Sequence, residues 1–334
     1  MTRLDVDAEE VAEAAPACDG PRALLLESRA VPLGGLRGME VHRALPQRDL
    51  PMVGAWCFLD RFGPQVTRMR VEPHPHIGLQ TVTWPLVGEV HHRDSVGSDV
   101  IVRRGALNLM TSGAGISHSE YSMGEDAAPL DALQLWVALP ESRRHGAPDF
   151  ERHEDLPTLA LQPAARETGA PGEATVVLGE LGDVVSPATV HTPIVGAELR
   201  VRAGSRLRVP LRADWEFALI GVAGTVSAET GTPDVATSRV DVRELLYLGT
   251  KRSEIVVAAG DADVTAFLIG GEPFPDEIVM WWNFVARSHE EVVDARDAWE
   301  EASARFGHVV GHADERVPAP PLPGVRLTRR RRRV

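Results

Sequence analysis

The sequence predicts an all-β protein with two strand-rich domains. Between residues 22 and 140 the chain consists of short apolar runs, such as 79–86 and 133–139, separated by Gly, Pro and Asp. Each run has the length of a strand, and none keeps the 3.6-residue period of an amphipathic helix. Many short strands with closely spaced turns are typical of an antiparallel sandwich or barrel.

A second strand-rich block indicates the second domain. It includes apolar runs at 197–209 and 215–227 and follows a polar, proline-containing stretch. Loss of the strand pattern in that stretch is typical of a linker. The predicted division is therefore a disordered acidic N-terminus (1–20), a first domain (21–140), a linker (141–174), a second domain (175–275), a C-terminal helical segment (276–312) and a disordered basic tail (313–334).

One helix is predicted, in the C-terminal segment. Ser288 followed by Glu291 forms a capping box, which marks the start of a helix. Gly307 supplies a stop signal. The apolar residues between these signals fall on one helical face: Val292, Ala295, Trp299, Ala302 and Phe306. The sequence therefore predicts an amphipathic helix up to Gly307.

Charge and cysteine content exclude several classes of protein. The chain has 48 acidic and 35 basic residues, a formal net charge of -13, which disfavours direct nucleic-acid binding. Its two cysteines cannot build a disulfide scaffold, so we expect a cytoplasmic location. The acidic N-terminal residues have the wrong charge for a signal peptide. No stretch approaches about 18 uninterrupted apolar residues, so no membrane association is expected.

Histidines concentrate in the first domain. Five of the twelve lie between His74 and His118. His74 and His76 are two residues apart, and in an extended strand this spacing puts both imidazoles on one face. His118 and Glu120 repeat the spacing with a carboxylate. Two such pairs on neighbouring strands could converge on one metal ion.

Three imidazoles and one carboxylate leave up to two positions of an octahedral ion open. Non-haem Fe(II) oxygenases use a similar donor set with open positions. The same set would also hold Mn, Ni, Cu or Zn, so the spacing leaves the metal open. His91 and His92 point to opposite faces of a strand, so we expect at most one to reach the cavity. Asp94 could support the site through an outer hydrogen bond.

Several segments of the first half resemble the pirin family of the cupin superfamily. They are GAWCFLDRFGP at 54–64, PHPHIGLQTV at 73–82, HRDS at 92–95, MTSGAGISHSE at 110–120 and LQLWVALP at 133–140. The resemblance implies a bicupin, with two antiparallel β-barrel domains and one metal in the first. The family's ligands correspond to His74, His76, His118 and Glu120, and its usual metal is Fe(II). It implies no other cofactor.

The resemblance also implies a choice of functions. Some pirins degrade quercetin by a 2,3-dioxygenase reaction, which we expect here for a flavonol or related aromatic enediol and dioxygen. Glu120 would bind the metal and accept the substrate's hydroxyl proton. Other pirins are metal- or redox-dependent regulators that bind a protein partner, and a cupin isomerase or lyase is a third possibility. The second domain has a single histidine, His191, and is expected to bind no metal.

Overall fold

The computed structural model describes residues 19–33, 39–164, 172–230, 237–330 and 332–334. Within these ranges the chain forms 25 β-strands, one α-helix and one 3-10 helix. The strands of the first half are β1 (Pro21–Glu27), β2 (Arg29–Leu33), β3 (Met39–Leu45), β4 (Trp56–Thr67), β5 (Arg70–His76), β6 (Leu79–Val87), β7 (Val90–Asp94), β8 (Asp99–Val102), β9 (Leu107–Thr111), β10 (Ile116–Ser122), β11 (Ala128–Ala138) and β12 (Asp149–His153).

The second half continues the pattern of short strands. They are β13 (Thr158–Pro163), β14 (Gly172–Leu181), β15 (Val184–Val185), β16 (Ile194–Val201), β17 (Arg206–Pro210), β18 (Glu216–Ala223), β19 (Val226–Glu229), β20 (Thr237–Val240), β21 (Glu244–Gly249), β22 (Glu254–Ala259), β23 (Val264–Gly271), β24 (Val279–Trp281) and β25 (Phe284–Ala286). The helix α1 (His289–Glu300) and a 3-10 turn (Ala304–Phe306) follow. The all-β prediction with a C-terminal helix is confirmed.

Two antiparallel sheets enclose the first domain. One has the order β5-β10-β7-β8, and the other has the order β12-β9-β6-β11-β4-β3-β2. Val90 and Val102 of the smaller sheet share an apolar cluster with Phe62 and Leu130 of the larger one. The two sheets therefore pack face to face, as in a small barrel.

The second domain is a single sheet of twelve strands, ordered β1-β21-β18-β23-β16-β14-β13-β17-β22-β19-β20 with β15 beside β14. β13 pairs with β14 through residues 158–161 and with β17 through residues 162 and 163, so the sheet turns a corner there. Its interior holds a large apolar cluster that includes Trp215 and Phe217. This half is the second barrel.

The two barrels share chain segments and core. β1 pairs with β21, with Leu25 opposite Leu246, so the N-terminal strand belongs to the second sheet and not to the predicted first domain. Trp56 of β4 donates its indole N–H to the carbonyl oxygen of Val195 at 3.0 Å. An apolar cluster containing Trp56 and Phe267 joins the two domains.

The structure also differs from the prediction at both ends of the linker (141–174). In the predicted linker, β12 pairs with β9 of the first domain, and β13 joins the second sheet, so both segments complete a domain. The predicted disordered N-terminus, apart from Asp19 and Gly20, lies outside the described residues. No helix in the described part of the chain has the length and hydropathy needed to cross a membrane.

The helix begins where the sequence predicts and ends earlier. Ser288 caps α1 by accepting a hydrogen bond from the backbone N–H of Glu291 at 3.2 Å. Val292, Ala295 and Trp299 are its buried residues, as predicted. Ala302 takes a positive φ of 52°, which is incompatible with a continuing helix. The helix therefore stops at Glu300.

The predicted disordered tail is instead packed along the protein. The backbone N–H of Val317 donates to the carbonyl oxygen of Pro73 at 2.8 Å, and that of Arg333 donates to the carbonyl oxygen of Asp49 at 2.9 Å. Arg332 donates from Nη2 to Oε1 of buried Glu216 at 2.7 Å. The tail therefore runs over the first domain and is anchored in the second. Sequence composition missed this because the partners lie far away along the chain.

Candidate metal centre

Two neighbouring strands of the smaller sheet carry the predicted ligands. β5 holds His74 and His76, and central β10 holds His118 and Glu120. His118 lies directly opposite His74 in the β10–β5 pairing. On the other side of β10, Glu120 lies opposite His92 of β7. Strand pairing therefore brings together two motifs that are more than 40 residues apart, as the sequence predicts.

The β5–β10 pairing is irregular beside the histidines. Between the pairs His118–His74 and Glu120–Val71, β5 has one residue more than β10. This extra length includes Pro73, which has no backbone N–H and is tolerated because β5 is an edge strand. Such a bulge changes the direction of neighbouring side chains. The irregularity lies on the β5 side, since β10 pairs with β7 without a break from His118 to Glu120.

Three imidazoles meet at one point. One ligand nitrogen from each of His74, His76 and His118 lies within 4.8 Å of the others, and all three residues are buried. Nε2 of His76 is 3.1 Å from Nε2 of His118. The ring centroids of His74 and His118 are 4.3 Å apart. The predicted convergence of these histidines is present in the structure.

Glu120 belongs to a second, overlapping group. Its carboxylate lies within 4.8 Å of ligand nitrogens of His92 and His118. The structure therefore brings three of the four predicted ligands, His74, His76 and His118, together as one group. Glu120 lies in the second group, which shares His118 with the first. Binding of a single ion by all four residues stays a prediction. His92, expected at most in a supporting position, lies closer to Glu120 than the sequence indicated.

Hydrogen bonds determine which imidazole nitrogens are available. Nδ1 of His74 lies 3.0 Å from the carbonyl oxygen of Glu72, so it carries the proton and leaves Nε2 as an acceptor. Asp94 Oδ2 lies 3.0 Å from Nε2 of His92, whose Nδ1 lies 3.3 Å from Nδ1 of His118. With the His92 proton directed to Asp94, His118 donates from Nδ1 and keeps a lone pair on Nε2.

Burial keeps the imidazoles neutral. It lowers the pKa of His74 to about 4 and lowers the pKa values of His76 and His118 well below the usual histidine value. Burial also raises the pKa of Glu120, because a carboxylate loses hydration there. Neutral imidazoles offer the lone pairs that a metal ion requires.

The donor set fits a divalent metal ion. Two nitrogens bound to one ion at about 2.0–2.1 Å and at a right angle lie about 3 Å apart, and the facing Nε2 atoms of His76 and His118 are 3.1 Å apart. His76 hydrogen-bonds to the backbone of Asn283, and its Nε2 faces His118. Imidazole and carboxylate donors do not choose one metal among several.

The histidines lie in the wall of a cleft of about 1930 Å³. Its lining includes His74, His76 and Glu120, together with Phe58 and Trp136. Phe58 and Trp136 are stacked, with ring centroids 3.9 Å apart and an interplanar angle of 13°. The Trp136 ring meets that of His76 edge-on at 5.2 Å. An aromatic wall therefore leads directly to the imidazoles.

Sequence reasoning did not assign these aromatic residues to the site. Phe58 and Trp136 are opposite each other in the β4–β11 pairing, in segments interpreted only as buried strands. Both segments belong to the motifs at 54–64 and 133–140, which was the available signal. The tail residues that line the cleft, such as Arg330, gave no signal because composition suggested disorder.

Two antiparallel barrels in one chain, with a histidine cluster in the first, define a bicupin. Family comparisons agree: residues 38–137 match the pirin family model, and residues 196–307 match the model of the pirin C-terminal cupin domain. The chain belongs to the pirin family.

Known relatives cover most of the chain. A Pseudomonas aeruginosa protein provisionally named a quercetin 2,3-dioxygenase is 40% identical over 89% of each chain. A pirin-like protein of Caulobacter vibrioides is 33% identical, covering 83% of this chain and 92% of its own. The crystal structure of a quercetin 2,3-dioxygenase from Acinetobacter baumannii superimposes with a TM-score of 0.81 and 36% identity, covering 91% of this chain and 97% of that one.

Proposed function

We propose that this protein is a metal-dependent dioxygenase that acts on a flavonol such as quercetin. The observation that carries the proposal is the meeting of three buried imidazoles, from His74, His76 and His118, beside an aromatic-walled cleft. The names of the Pseudomonas and Acinetobacter relatives support the same reaction. The proposal includes Fe(II) as the metal and, from the cysteine content, a cytoplasmic location.

His74, His76 and His118 would hold the ion, and Glu120 would be the fourth ligand. The first three provide neutral nitrogens from two paired strands, which makes the donor set rigid. When bound, a divalent ion would supply Lewis acidity toward a hydroxyl oxygen and an open position for dioxygen. Asp94, through His92, holds the His118 ring in the tautomer that leaves Nε2 available.

Glu120 is the residue that we assign to proton transfer. It provides the one carboxylate among the four proposed ligands, and a positioned carboxylate can act as a general base. The hydroxyl group of Thr83 lies 3.4 Å from Oε1 of Glu120 and 3.0 Å from Oε1 of Gln134. These contacts orient the carboxylate. Glu120 therefore accepts the proton that a flavonol hydroxyl group releases when it binds.

Phe58 and Trp136 position the substrate. The stacked pair gives this side of the cleft an apolar aromatic lining, against which the aromatic rings of a flavonol can pack. Because Trp136 contacts His76, a ring lying against this wall brings one edge to the imidazoles. The burial of the histidines excludes bulk water from that end of the cleft.

The test is anaerobic titration of the iron-loaded protein with quercetin, followed by admission of oxygen. We expect loss of the flavonol absorbance and release of carbon monoxide. Glu120→Gln should lower the rate per bound iron by about 10²–10⁴-fold, the usual contribution of a positioned base. Glu125→Gln, the same change at an exposed residue of the same domain, should leave the rate unchanged.

Iron-loaded protein that binds quercetin without consuming it would contradict the dioxygenase proposal. A regulatory function would then be tested by comparing the protein partners of the Fe(II), Fe(III) and metal-free forms. A Glu120→Gln rate equal to that of the unchanged protein, at equal iron content, would remove the assignment of Glu120 as the base.

A further inference from the structure

The cleft is strongly basic in an acidic protein. The whole chain has a net charge of -13. Eleven arginines nevertheless line the cleft, with three carboxylate residues, Asp60, Glu72 and Glu120. Five of the eleven form ion pairs, namely Arg43, Arg70, Arg287, Arg326 and Arg329, and the other six have no carboxylate partner within the described ranges. Low-dielectric walls lined by one sign of charge concentrate the field inside a cleft. The cleft therefore attracts anions although the protein as a whole repels them.

Three of these arginines lie together beyond the aromatic wall. Arg43 places its guanidinium carbon 4.6 Å from the centroid of Phe58 and forms a two-point pair with Asp60, at 2.8 and 2.7 Å. Arg29 donates to the carbonyl oxygen of Pro46, in the loop that follows the strand of Arg43. Arg330 comes from the tail. Asp60 is the acid paired with this group, which we call the arginine cluster (Arg29, Arg43 and Arg330).

The arginine cluster carries excess positive charge. Arg29 and Arg330 are exposed to solvent, line the cleft and have no carboxylate partner within the described ranges. Partial desolvation lowers the pKa of Arg330, and the charges of Arg29 and Arg43 lower it further, as expected for neighbouring cations. With one carboxylate for three guanidinium groups, the cluster can accept an anion without displacing an existing ion pair.

The aromatic wall connects the arginine cluster with the histidines. From the His76 ring the steps are 5.2 Å to Trp136, 3.9 Å from Trp136 to Phe58 and 4.6 Å from Phe58 to the guanidinium carbon of Arg43. A molecule that runs alongside the Trp136–Phe58 stack therefore has the imidazoles at one end and the guanidinium group of Arg43 at the other.

We propose that the arginine cluster binds an anionic substituent, a carboxylate, sulfate or phosphate group, on an aromatic substrate whose opposite edge reaches the histidines. The inference rests on the proposed function for the direction of the substrate, and it narrows the substrate class from flavonols in general to aromatic molecules with an acidic group. Planar guanidinium groups match these anions by paired hydrogen bonds. An uncharged flavonol does not use this part of the cleft.

A pair of probes that are not oxidised tests the arginine cluster apart from turnover. Naphthalene-2-sulfonate and the uncharged naphthalene-2-sulfonamide are titrated by calorimetry into the full-length, metal-containing protein. We expect the sulfonate to bind at least about tenfold more tightly at low salt, because hydrogen bonds to charged groups are the stronger ones. The preference should shrink as about 0.01 M salt is raised to about 1 M, where charges are screened within about 3 Å.

Variants that each replace one arginine by glutamine show which arginines cause the preference for the sulfonate. Arg330→Gln should reduce sulfonate affinity about fivefold and leave sulfonamide affinity unchanged, and Arg29→Gln should do the same. Both side chains are exposed and form no ion pair within the described ranges, so each variant should fold, with Arg29→Gln losing one hydrogen bond, to the carbonyl oxygen of Pro46. Arg68→Gln removes the same charge from another exposed cleft arginine and should change neither affinity by more than about twofold.

Equal affinity for the two probes would overturn the proposal, as would an equal loss in Arg68→Gln, which would indicate only the general field of the cleft. Inorganic sulfate binding as tightly as the sulfonate would show a free-anion site and would also overturn it. If the protein does not turn over quercetin but still prefers the sulfonate, the proposed reaction is contradicted. The proposal that the arginine cluster binds an anionic group is then still supported.

Discussion

The two barrels use the same type of fold for different purposes. The apolar cluster confined to the first barrel has seven buried residues, and the cluster inside the second has 25. Where the second barrel holds Trp215 and Phe217, the first holds His74, His76 and His118 around a cleft. A barrel interior that contains a polar site cannot also be filled with apolar side chains. The second barrel therefore has an interior filled with apolar side chains, and the first has an interior that includes the histidine cluster.

Their junction explains how a barrel with a small core of its own stays folded. Trp56 of the first barrel donates to carbonyl oxygens of Val195 and Gly270 in the second, at 3.0 and 3.2 Å. The shared cluster also contains Leu133 of the first barrel and Phe267 of the second. Burial of apolar surface is the dominant favourable term in folding. The first barrel thus buries at the junction the apolar surface that it does not bury around its cleft.

The largest effect is expected at a histidine of the first barrel. His74→Ala should reduce metal affinity by more than about 100-fold, because even supporting residues of metal sites contribute about 10–100-fold. The protein should remain folded, since the barrel core does not include His74. Elemental analysis and circular dichroism measure the two properties. His91→Ala, on the opposite face of β7 from His92, serves as the control and should load metal normally. An unfolded His74→Ala protein would mean that this histidine is structural.

Replacing a buried phenylalanine by alanine should lower the free energy of unfolding more in the second barrel than in the first. Phe217→Ala in the second barrel should lower the free energy of unfolding by about 3–5 kcal/mol, because it leaves a closed cavity. Phe62→Ala should cost about 2 kcal/mol, since Phe62 lines the cleft and its removal opens no closed cavity. Urea denaturation measures both variants. Equal losses would contradict this difference between the two interiors.

An effect smaller than that of Phe217→Ala is expected in the tail that joins the two regions. Arg332→Ala should lower the free energy of unfolding by about 2–3 kcal/mol, because it removes the cation facing buried Glu216. This loss is smaller than that expected for a buried carboxylate left with no partner, because Gly54 and Tyr247 still donate hydrogen bonds to Glu216. Arg329→Ala, an exposed tail arginine, should change it by less than about 0.5 kcal/mol. Thermal unfolding compares the two variants. Equal decreases in Tm would show that Arg332 does not stabilise the packing of the tail.

Much of the fold and part of the site could be predicted because the signals were local. Strand-length runs indicated the β class, and Ser288 with Glu291 indicated where the helix begins. The helix end was misplaced because Gly307 terminates a separate 3-10 turn. The predicted linker and the position of β1 were wrong because strand pairing across the two sheets depends on partners that are distant in sequence.

By itself the sequence determined that His74 and His76, and likewise His118 and Glu120, are spaced for a common strand face, because side-chain alternation needs only the neighbouring backbone. The tertiary structure decided which donors meet: the β5–β10 pairing places His118 opposite His74, and the β10–β7 pairing places Glu120 opposite His92. It also decided where Arg330 and Arg332 lie, since packing between segments more than 100 residues apart is a property of the assembled core.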